Sequence, residues 1–342
     1  MKPLEYFLRP TQRELFAKLR SIYKGRADVC RDSYILVKGE APVLLVAHLD
    51  TIHPQPVKQI CMTSDGGILM SPQGIGGDDR CGVYALNAVY GQSEAKPWLL
   101  FTCDEEVGGV GAGDFCAKHR KGALPKELGQ LKLIIEIDRK GRDDAVYYGC
   151  DNRDFEDYIT GKGFRTSYGS FSDISYIAPE LGIAAVNLSA GYYNAHTLYE
   201  YINRKQLEDT VRKVIGIVAE STNPGFPRYE YVEACRFYGR GWDRYGSWHG
   251  DEKILESLPG NIREEYATLL DYYTAEELET YRMDYGDGII LQLFEAEFSG
   301  TAYPGPKEEP IEWGNPKRGM GDGRAERLQK GVRPYKDYEP MG

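Results

Sequence analysis

Two histidines and a series of carboxylates stand in this sequence where apolar runs end. Val-Leu-Leu-Val-Ala-His-Leu-Asp brings His48 and Asp50 to the close of an apolar run over 43–47. Asp50 is placed to accept the second ring N–H of His48, which would fix the imidazole tautomer for a metal. Gly-Ile-Gly-Gly-Asp-Asp-Arg sets Asp78 and Asp79 between glycines and an apolar-periodic stretch. Two chemistries suit such a pair: a helix N-cap, or a carboxylate bridging two cations beside a helix N-terminus. Trp-Leu-Leu-Phe-Thr-Cys-Asp-Glu-Glu ends in Asp104, Glu105 and Glu106, three acids that repel one another unless cations or donors lie among them. The glycines beyond them, Gly108, Gly109, Gly111 and Gly113, lack the register of a phosphate-binding loop, and the acids would repel phosphate. Asp138 closes Leu-Ile-Ile-Glu-Ile-Asp, and His196 lies in Gly-Tyr-Tyr-Asn-Ala-His-Thr after a further apolar run. Each motif alone has a bland reading; together they collect the hard oxygens and imidazole nitrogens that suit Zn²⁺ or a similar divalent ion.

Elements able to position these residues are legible in the same stretches. Runs rich in Val, Ile and Leu at 43–47, 98–102, 133–137, 145–148 and 184–188 predict strands, and 81–90, 111–119 and 205–220 have helical spacing. That alternation predicts an α/β sheet, and strands so uniformly apolar predict one covered on both faces. The acids and histidines then sit at the C-terminal ends of strands, the edge where open parallel sheets bind ligands. Thr11 with Glu14 three residues on has the form of a capping box, and Leu15, Leu19 and Ile22 continue it as an opening helix. In the helix over 205–220, Leu207, Val211, Val214, Ile215 and Val218 are expected to face inward.

Asn223-Pro224-Gly225-Phe226-Pro227 breaks the pattern with turn-forming residues, and the chain beyond it is rich in tyrosine. This predicts one domain over 1–223 and an extension over 224–342, with helices at 262–272 and 275–283 and a strand at 288–294. From 300 to 342 there are 8 Gly and 6 Pro in 43 residues, a composition that predicts little regular structure.

Composition narrows the partners. There are 42 Lys and Arg against 52 Asp and Glu, a net charge of −10, and no basic stretch, which argues against a nucleic-acid partner. No apolar run approaches the roughly 20 residues of a membrane span. Glu5, Arg9, Arg13 and Glu14 interrupt the N-terminus where a secretion signal needs an apolar core. The seven cysteines are odd in number, widely spaced and without a Cys-x-x-Cys pair, against a disulfide framework or a cysteine zinc site. A cytoplasmic protein is expected.

The order His-x-Asp, Gly-x-Asp-Asp-Arg, Asp-Glu-Glu, Asp, His-Thr-x-x-Glu-Tyr resembles that of the co-catalytic di-zinc exopeptidases, those of the peptidase T type and their aminopeptidase and carboxypeptidase relatives, over about residues 33–220. The resemblance implies a three-layer α/β sandwich with a mixed, largely parallel central sheet, and two Zn²⁺ per chain, with Co²⁺ or Mn²⁺ as substitutes. It implies His48, Asp78 and Asp138 on one ion and Asp78, Glu106 and His196 on the other, Asp78 bridging. It also implies Asp50 orienting His48, Glu105 as general base, and a cis peptide between Asp78 and Asp79. Only 58 positions separate Asp138 from His196 and 30 separate His48 from Asp78. The lid or dimerisation domain and the other insertion of such relatives therefore have no room. A compact, aminopeptidase-like site acting on short peptides is expected, with an N-acyl amino acid amidohydrolase as the alternative. A catalytically idle binding or scaffolding protein of the same fold is the third reading, and the intact set of ligands and base argues against it. Tyr192 or Tyr193 is a candidate donor to a developing oxyanion. With no lid, residues 224–342 are expected to dock beside the strand ends and narrow the cleft.

Overall fold

The central strands carry apolar side chains on both sides, so helices must cover both faces. The structure, a computed structural model, describes residues 2–167, 169, 171–234, 258–260, 262–270, 273, 278, 282 and 286–299. Its main sheet is built from β1 (Ala27–Cys30), β2 (Tyr34–Val37), β3 (Val43–His48), β6 (Trp98–Thr102), β7 (Leu133–Arg139), β8 (Asp144–Val146), β9 (Arg165–Thr166) and β10 (Ala185–Ser189), in the order β1-β2-β6-β3-β7-β10-β8-β9. The four central strands β6, β3, β7 and β10 are mutually parallel, and β1, β2 and β8 pair antiparallel. A second sheet of β4 (Cys61–Met62), β5 (Ile68–Met70), β11 (Tyr192–Tyr193) and β12 (Tyr201–Asn203) runs in the order β11-β12-β5-β4.

Alternation along the strands divides the core. Leu45, Ala47, Ile135, Ile137, Leu99, Phe101, Val186 and Leu188 belong to one buried cluster. It also contains side chains of α1 (Glu5–Leu8), α2 (Gln12–Ile22), α3 (Gly77–Gln92), α5 (Arg153–Thr160) and α7 (Arg204–Ser221). Leu44, Val46, Leu100, Ile134 and Ala185 point the other way, into a cluster with α4 (Val110–Arg120) and α6 (Ile174–Leu181). This is the three-layer α/β sandwich with a mixed, largely parallel sheet that the motifs imply. The 58 positions after Asp138 are used up by β8, α5, β9, α6, β10 and β11.

Thr11 caps α2 as expected: its hydroxyl accepts from Glu14 N at 3.3 Å and its own N–H donates to Glu14 Oε2 at 3.0 Å. Leu15 and Leu19 are buried, whereas Ile22, the last residue of the helix, is exposed. Close approach matters most at Gly82 on α3, where a Cβ would stand 2.2 Å from Ile137 O. Only glycine lets α3 lie this near β7, and α3 carries the Asp78–Asp79 turn at its start.

Beyond α7 the chain turns back along the sheet. Ala184 N donates to Tyr229 O, Tyr229 N to Lys132 O, and Tyr229 is buried in the core. The contacts divide the chain between Phe294 and Glu295. The Tyr229 bonds lie at the N-terminal ends of β7 and β10, so the stretch 224–234 does not narrow the cleft as expected. The parts of the extension at 235–257 and 300–342 fall outside the described residues, as does most of the helix expected at 275–283. The expected helix at 262–272 appears as α8 (Arg263–Leu269). The expected strand at 288–294 is instead a helix, α9 (Gly288–Ser299). Ile289, Ile290 and Leu293 are buried while Leu291 is exposed, a helical pattern; a strand would put Leu291 on the face of Ile289 and Leu293. Gln292 alone interrupts this apolar run, too little to set a period that separates the two.

Among the described residues no helix is long and apolar enough to cross a membrane, and six cysteines, Cys30, Cys61, Cys81, Cys103, Cys116 and Cys150, are free thiols.

Candidate metal centre

The C-terminal ends of β3, β6 and β7 lie side by side, in register His48 with Thr102 and Val46 with Glu136. The loops that leave them converge, and they bring His48, Asp50, Asp78, Glu105, Glu106, Asp138 and His196 together. His48 is buried with both ring nitrogens facing carboxylates. Nδ1 stands 3.3 Å from Asp50 Oδ1, and Nε2 is 3.2 Å from Asp78 Oδ1, 3.6 Å from Asp138 Oδ1 and 3.9 Å from Glu105 Oε2. His196 reaches the same centre from between β11 and β12; its Nε2 is 3.2 Å from Asp78 Oδ2 and 3.1 Å from Glu106 Oε2. Asp78 thus faces one imidazole with each oxygen.

Asp50 is committed to holding this arrangement. Besides His48 it accepts Glu105 N at 3.1 Å and Glu106 N at 3.0 Å, so one carboxylate orients an imidazole and the loop bearing two acids. Burial raises the Asp50 pKa, but His48 and the two backbone donors outweigh it and hold the carboxyl below its usual range. The peptide between Asp78 and Asp79 is cis. Asp79 binds backbone groups: its Oδ2 accepts His48 N at 3.2 Å and its Oδ1 accepts Gly82 N at 2.9 Å. The latter is an N-cap bond to the third residue on. Asp79 thus meets the capping reading of the acid pair. His48, Asp79 and Asp138 have ligand atoms within 4.8 Å of one another, as do His48, Asp78 and Glu106. Because both Asp79 oxygens already accept backbone N–H groups, Asp78 is the better ligand.

Three observations fit these residues to a divalent cation. Glu106 Oε1 is buried without a hydrogen-bond partner, an arrangement that is costly unless something electropositive sits against it. The donors are carboxylate oxygen and imidazole nitrogen throughout. Asp138 is anchored as a ligand would be: its N–H donates to Asn187 Oδ1 at 2.8 Å, Asn187 Nδ2 donates to its carbonyl at 3.1 Å, and Tyr192 OH lies 3.2 Å from both its carbonyl and its Oδ1.

Neither expected oxyanion donor is free. The single hydroxyl proton of buried Tyr192 is directed at Asp138, and Tyr193 OH donates to Gln206 Oε1 at 2.7 Å while its ring stacks on Tyr201. Other polar residues at the centre were given no role from the sequence, although Glu200 and Glu136 stand within its motifs. Glu200, fully buried, accepts Gly76 N at 3.0 Å, Asp78 N at 2.9 Å and faces His53 Nε2 at 2.9 Å, holding the turn that presents Asp78. Asn187 and Glu136 lie in otherwise apolar strands, and a polar residue within such a run is itself a signal, since burial without a partner is costly. Glu136 receives the Ser172 hydroxyl, and Thr102 donates to Asp173.

Burial pushes the Glu105 carboxyl up to about 8; His48 opposes this, while Asp138, Asp173 and Glu106 add to it. Burial, with Asp78 beside it, pushes Asp138 up to about 7. Hydrogen bonds to Asp78 and Glu106 raise His196 to about 10 against the effect of burial. Protons thus occupy ligand atoms at neutral pH, and a cation must displace them. Ligands with raised pKa values lose these protons as pH rises, so divalent-ion affinity should increase by about tenfold or more from pH 6 to pH 8, with proton release on binding. Calorimetry in two buffers of different ionisation enthalpy measures both; an affinity flat across this range would contradict the ligand assignment.

No family model matches the sequence, and no curated protein matches it. Solved structures similar to it include the aminopeptidase PepT from Bacillus cereus ATCC 10987, at 15% identity and a TM-score of 0.47, with 64% of this chain and 98% of that chain covered. A tripeptidase from Staphylococcus aureus is 16% identical with a TM-score of 0.46, covering 64% and 96%. A TET aminopeptidase from a marine sediment thaumarchaeon is 12% identical with a TM-score of 0.47, covering 60% and 89%.

Proposed function

We propose that the chain is a metal-dependent exopeptidase that hydrolyses short peptides, as an aminopeptidase or a di- or tripeptidase. The observation that carries this reading is Asp78 between the two imidazoles, with its oxygens 3.2 Å from His48 Nε2 and 3.2 Å from His196 Nε2, and Glu105 at the edge of the same cluster. His48, Asp78 and Asp138 would hold one divalent ion, and Asp78, Glu106 and His196 the other. When bound, such a pair supplies a Lewis acid for a scissile carbonyl and acidifies a water.

The chain's own groups supply the rest. Glu105 is the one acid of the cluster without a close imidazole partner, and its side chain is 12% exposed, in reach of a substrate. With its pKa raised towards neutrality it can take a proton from an attacking water and return it to the leaving amine. Asp50 keeps His48 in one tautomer and holds the backbone of Glu105 and Glu106. Tyr192 and Asn187 fix Asp138, and Glu200 fixes Asp78.

Amino acid amides, di- and tripeptides, longer peptides and N-acyl amino acids, each incubated with the protein with and without a chelator, test the reading. Release of N-terminal residues from short peptides, abolished by chelation and restored by Zn²⁺, Co²⁺ or Mn²⁺, is expected. Cleavage confined to N-acyl amino acids would replace the peptidase reading by the deacylase one, and no hydrolysis of any of them would overturn both.

A further inference from the structure

We infer that Gln12, at the start of α2, is a positioning residue for the acid loop Asp104–Glu106, so that the N-terminal segment belongs to the working part of the metal centre. This rests on the reading of Glu105 and Glu106 given above.

The loop is unusual in its backbone. Asp104 has φ of 60°, a left-handed conformation that is uncommon for residues other than glycine. The turn this makes directs Glu105 and Glu106 into the cluster. Its backbone groups find partners within the loop or on Asp50: Val110 N donates to Asp104 O at 3.1 Å, Gly108 N and Gly109 N to Glu105 O, and the N–H groups of Glu105 and Glu106 to Asp50. Asp104 itself is held from outside, by the side chain of Gln12. Gln12 Nε2 donates to Asp104 Oδ1 at 2.8 Å, and Asp104 N donates to Gln12 Oε1 at 3.2 Å. A primary amide paired with both the carboxylate and the N–H of one residue fixes that residue's φ and χ1 together, as a lone hydrogen bond would not.

The same segment grips the other ligand turn. Arg80, which follows Asp79 and is almost fully buried, donates from one guanidinium nitrogen to Phe7 O at 3.1 Å and to Pro10 O at 2.9 Å. Residues 7–12 are therefore tied both to the turn bearing Asp78 and to the loop bearing Glu105 and Glu106. Gln12 is partly buried and distant in sequence from every ligand, and nothing in a side-chain amide predicts this role from sequence.

Gln12→Met keeps the length and volume of the side chain and removes both bonds. In hydrogen exchange of the metal-free full-length protein, the segment 103–111 should exchange about tenfold faster in the variant, with the remainder of the sheet unchanged. In the zinc-loaded protein kcat should fall about tenfold with KM within twofold, because a loop displaced by a fraction of an ångström misplaces the base without altering the substrate's walls. The Asp104→Asn and Gln12→Met changes combined should cost little more than the larger single effect. A purely structural role for Gln12 would lower the melting temperature and leave kcat per folded molecule unaltered. Unchanged exchange at 103–111, or faster exchange with kcat and Zn²⁺ affinity within twofold of wild type, overturns the inference. The wild-type arm reports separately on the metal reading: a wild-type chain that binds no Zn²⁺ overturns both.

Discussion

Glu105→Gln should lower the turnover of a short peptide by roughly 10² to 10⁴ while the metal content stays as in the wild type. The substitution keeps the size of the side chain and most of its hydrogen-bonding capacity, and removes only the ability to take up and return a proton. Glu105 is separable from the ligands by geometry: its nearest imidazole contact is 3.9 Å, whereas neighbouring Glu106 stands 3.1 Å from His196. Glu106→Gln should accordingly weaken metal binding, and turnover lost in that variant should return in part at high Zn²⁺ concentration. Kinetics and elemental analysis on the same preparations distinguish the pair. A Glu105→Gln protein within tenfold of wild-type turnover would remove Glu105 from the mechanism.

Asp78→Ala should lose both ions at once. Each Asp78 oxygen faces a different imidazole, and His48 and His196 draw on opposite sides of this one carboxylate. Its pKa is lowered despite burial, because both histidines hydrogen-bond to it. Removing it leaves two incomplete ligand sets, and affinity should fall by well over the roughly 10- to 100-fold expected for loss of a group that only orients a ligand. Asp79→Asn is the control. Asp79 accepts from both His48 N and Gly82 N, and an amide can accept only one of them, so this change loosens the turn's backbone contacts without removing a proposed ligand. That variant should keep both ions. Titration with Zn²⁺ against a chromophoric chelator measures each stoichiometry, and one tightly held ion in Asp78→Ala would show that the carboxylate does not bridge.

Much of this centre can be read in the sequence because its parts follow a simple rule: an apolar strand ends, and the next residues are His, Asp or Glu. The central strands announce themselves by uninterrupted Val, Ile and Leu, and capping at Thr11 is local chemistry within four residues. What is not legible depends on partners distant in the chain. Asp79 meets the backbone of a residue 31 positions away, Tyr192 meets Asp138 across 54, and Gln12 meets Asp104 across 92. Tyr192 beside His196 reads as an oxyanion donor only until Asp138 is seen to occupy its hydroxyl. The run at 288–294 fails for another reason, since helix and strand burial cannot be told apart in a short stretch whose one polar side chain is Gln292. The turn-forming stretch at 223–227 reads as a place where the chain leaves the body, yet Tyr229 returns to the core at the far ends of β7 and β10.

Whether Asp78 bridges a pair of ions is decided by a crystal structure of the zinc-supplemented protein with anomalous data collected on both sides of the zinc absorption edge. Two zinc peaks per chain are expected, roughly 3.5–4 Å apart, as in two-metal hydrolytic sites. One should lie among His48, Asp78 and Asp138 and the other among Asp78, Glu106 and His196. No peak at this cluster, or a single fully occupied peak that leaves His48 or His196 without an ion, would contradict the paired-ion assignment.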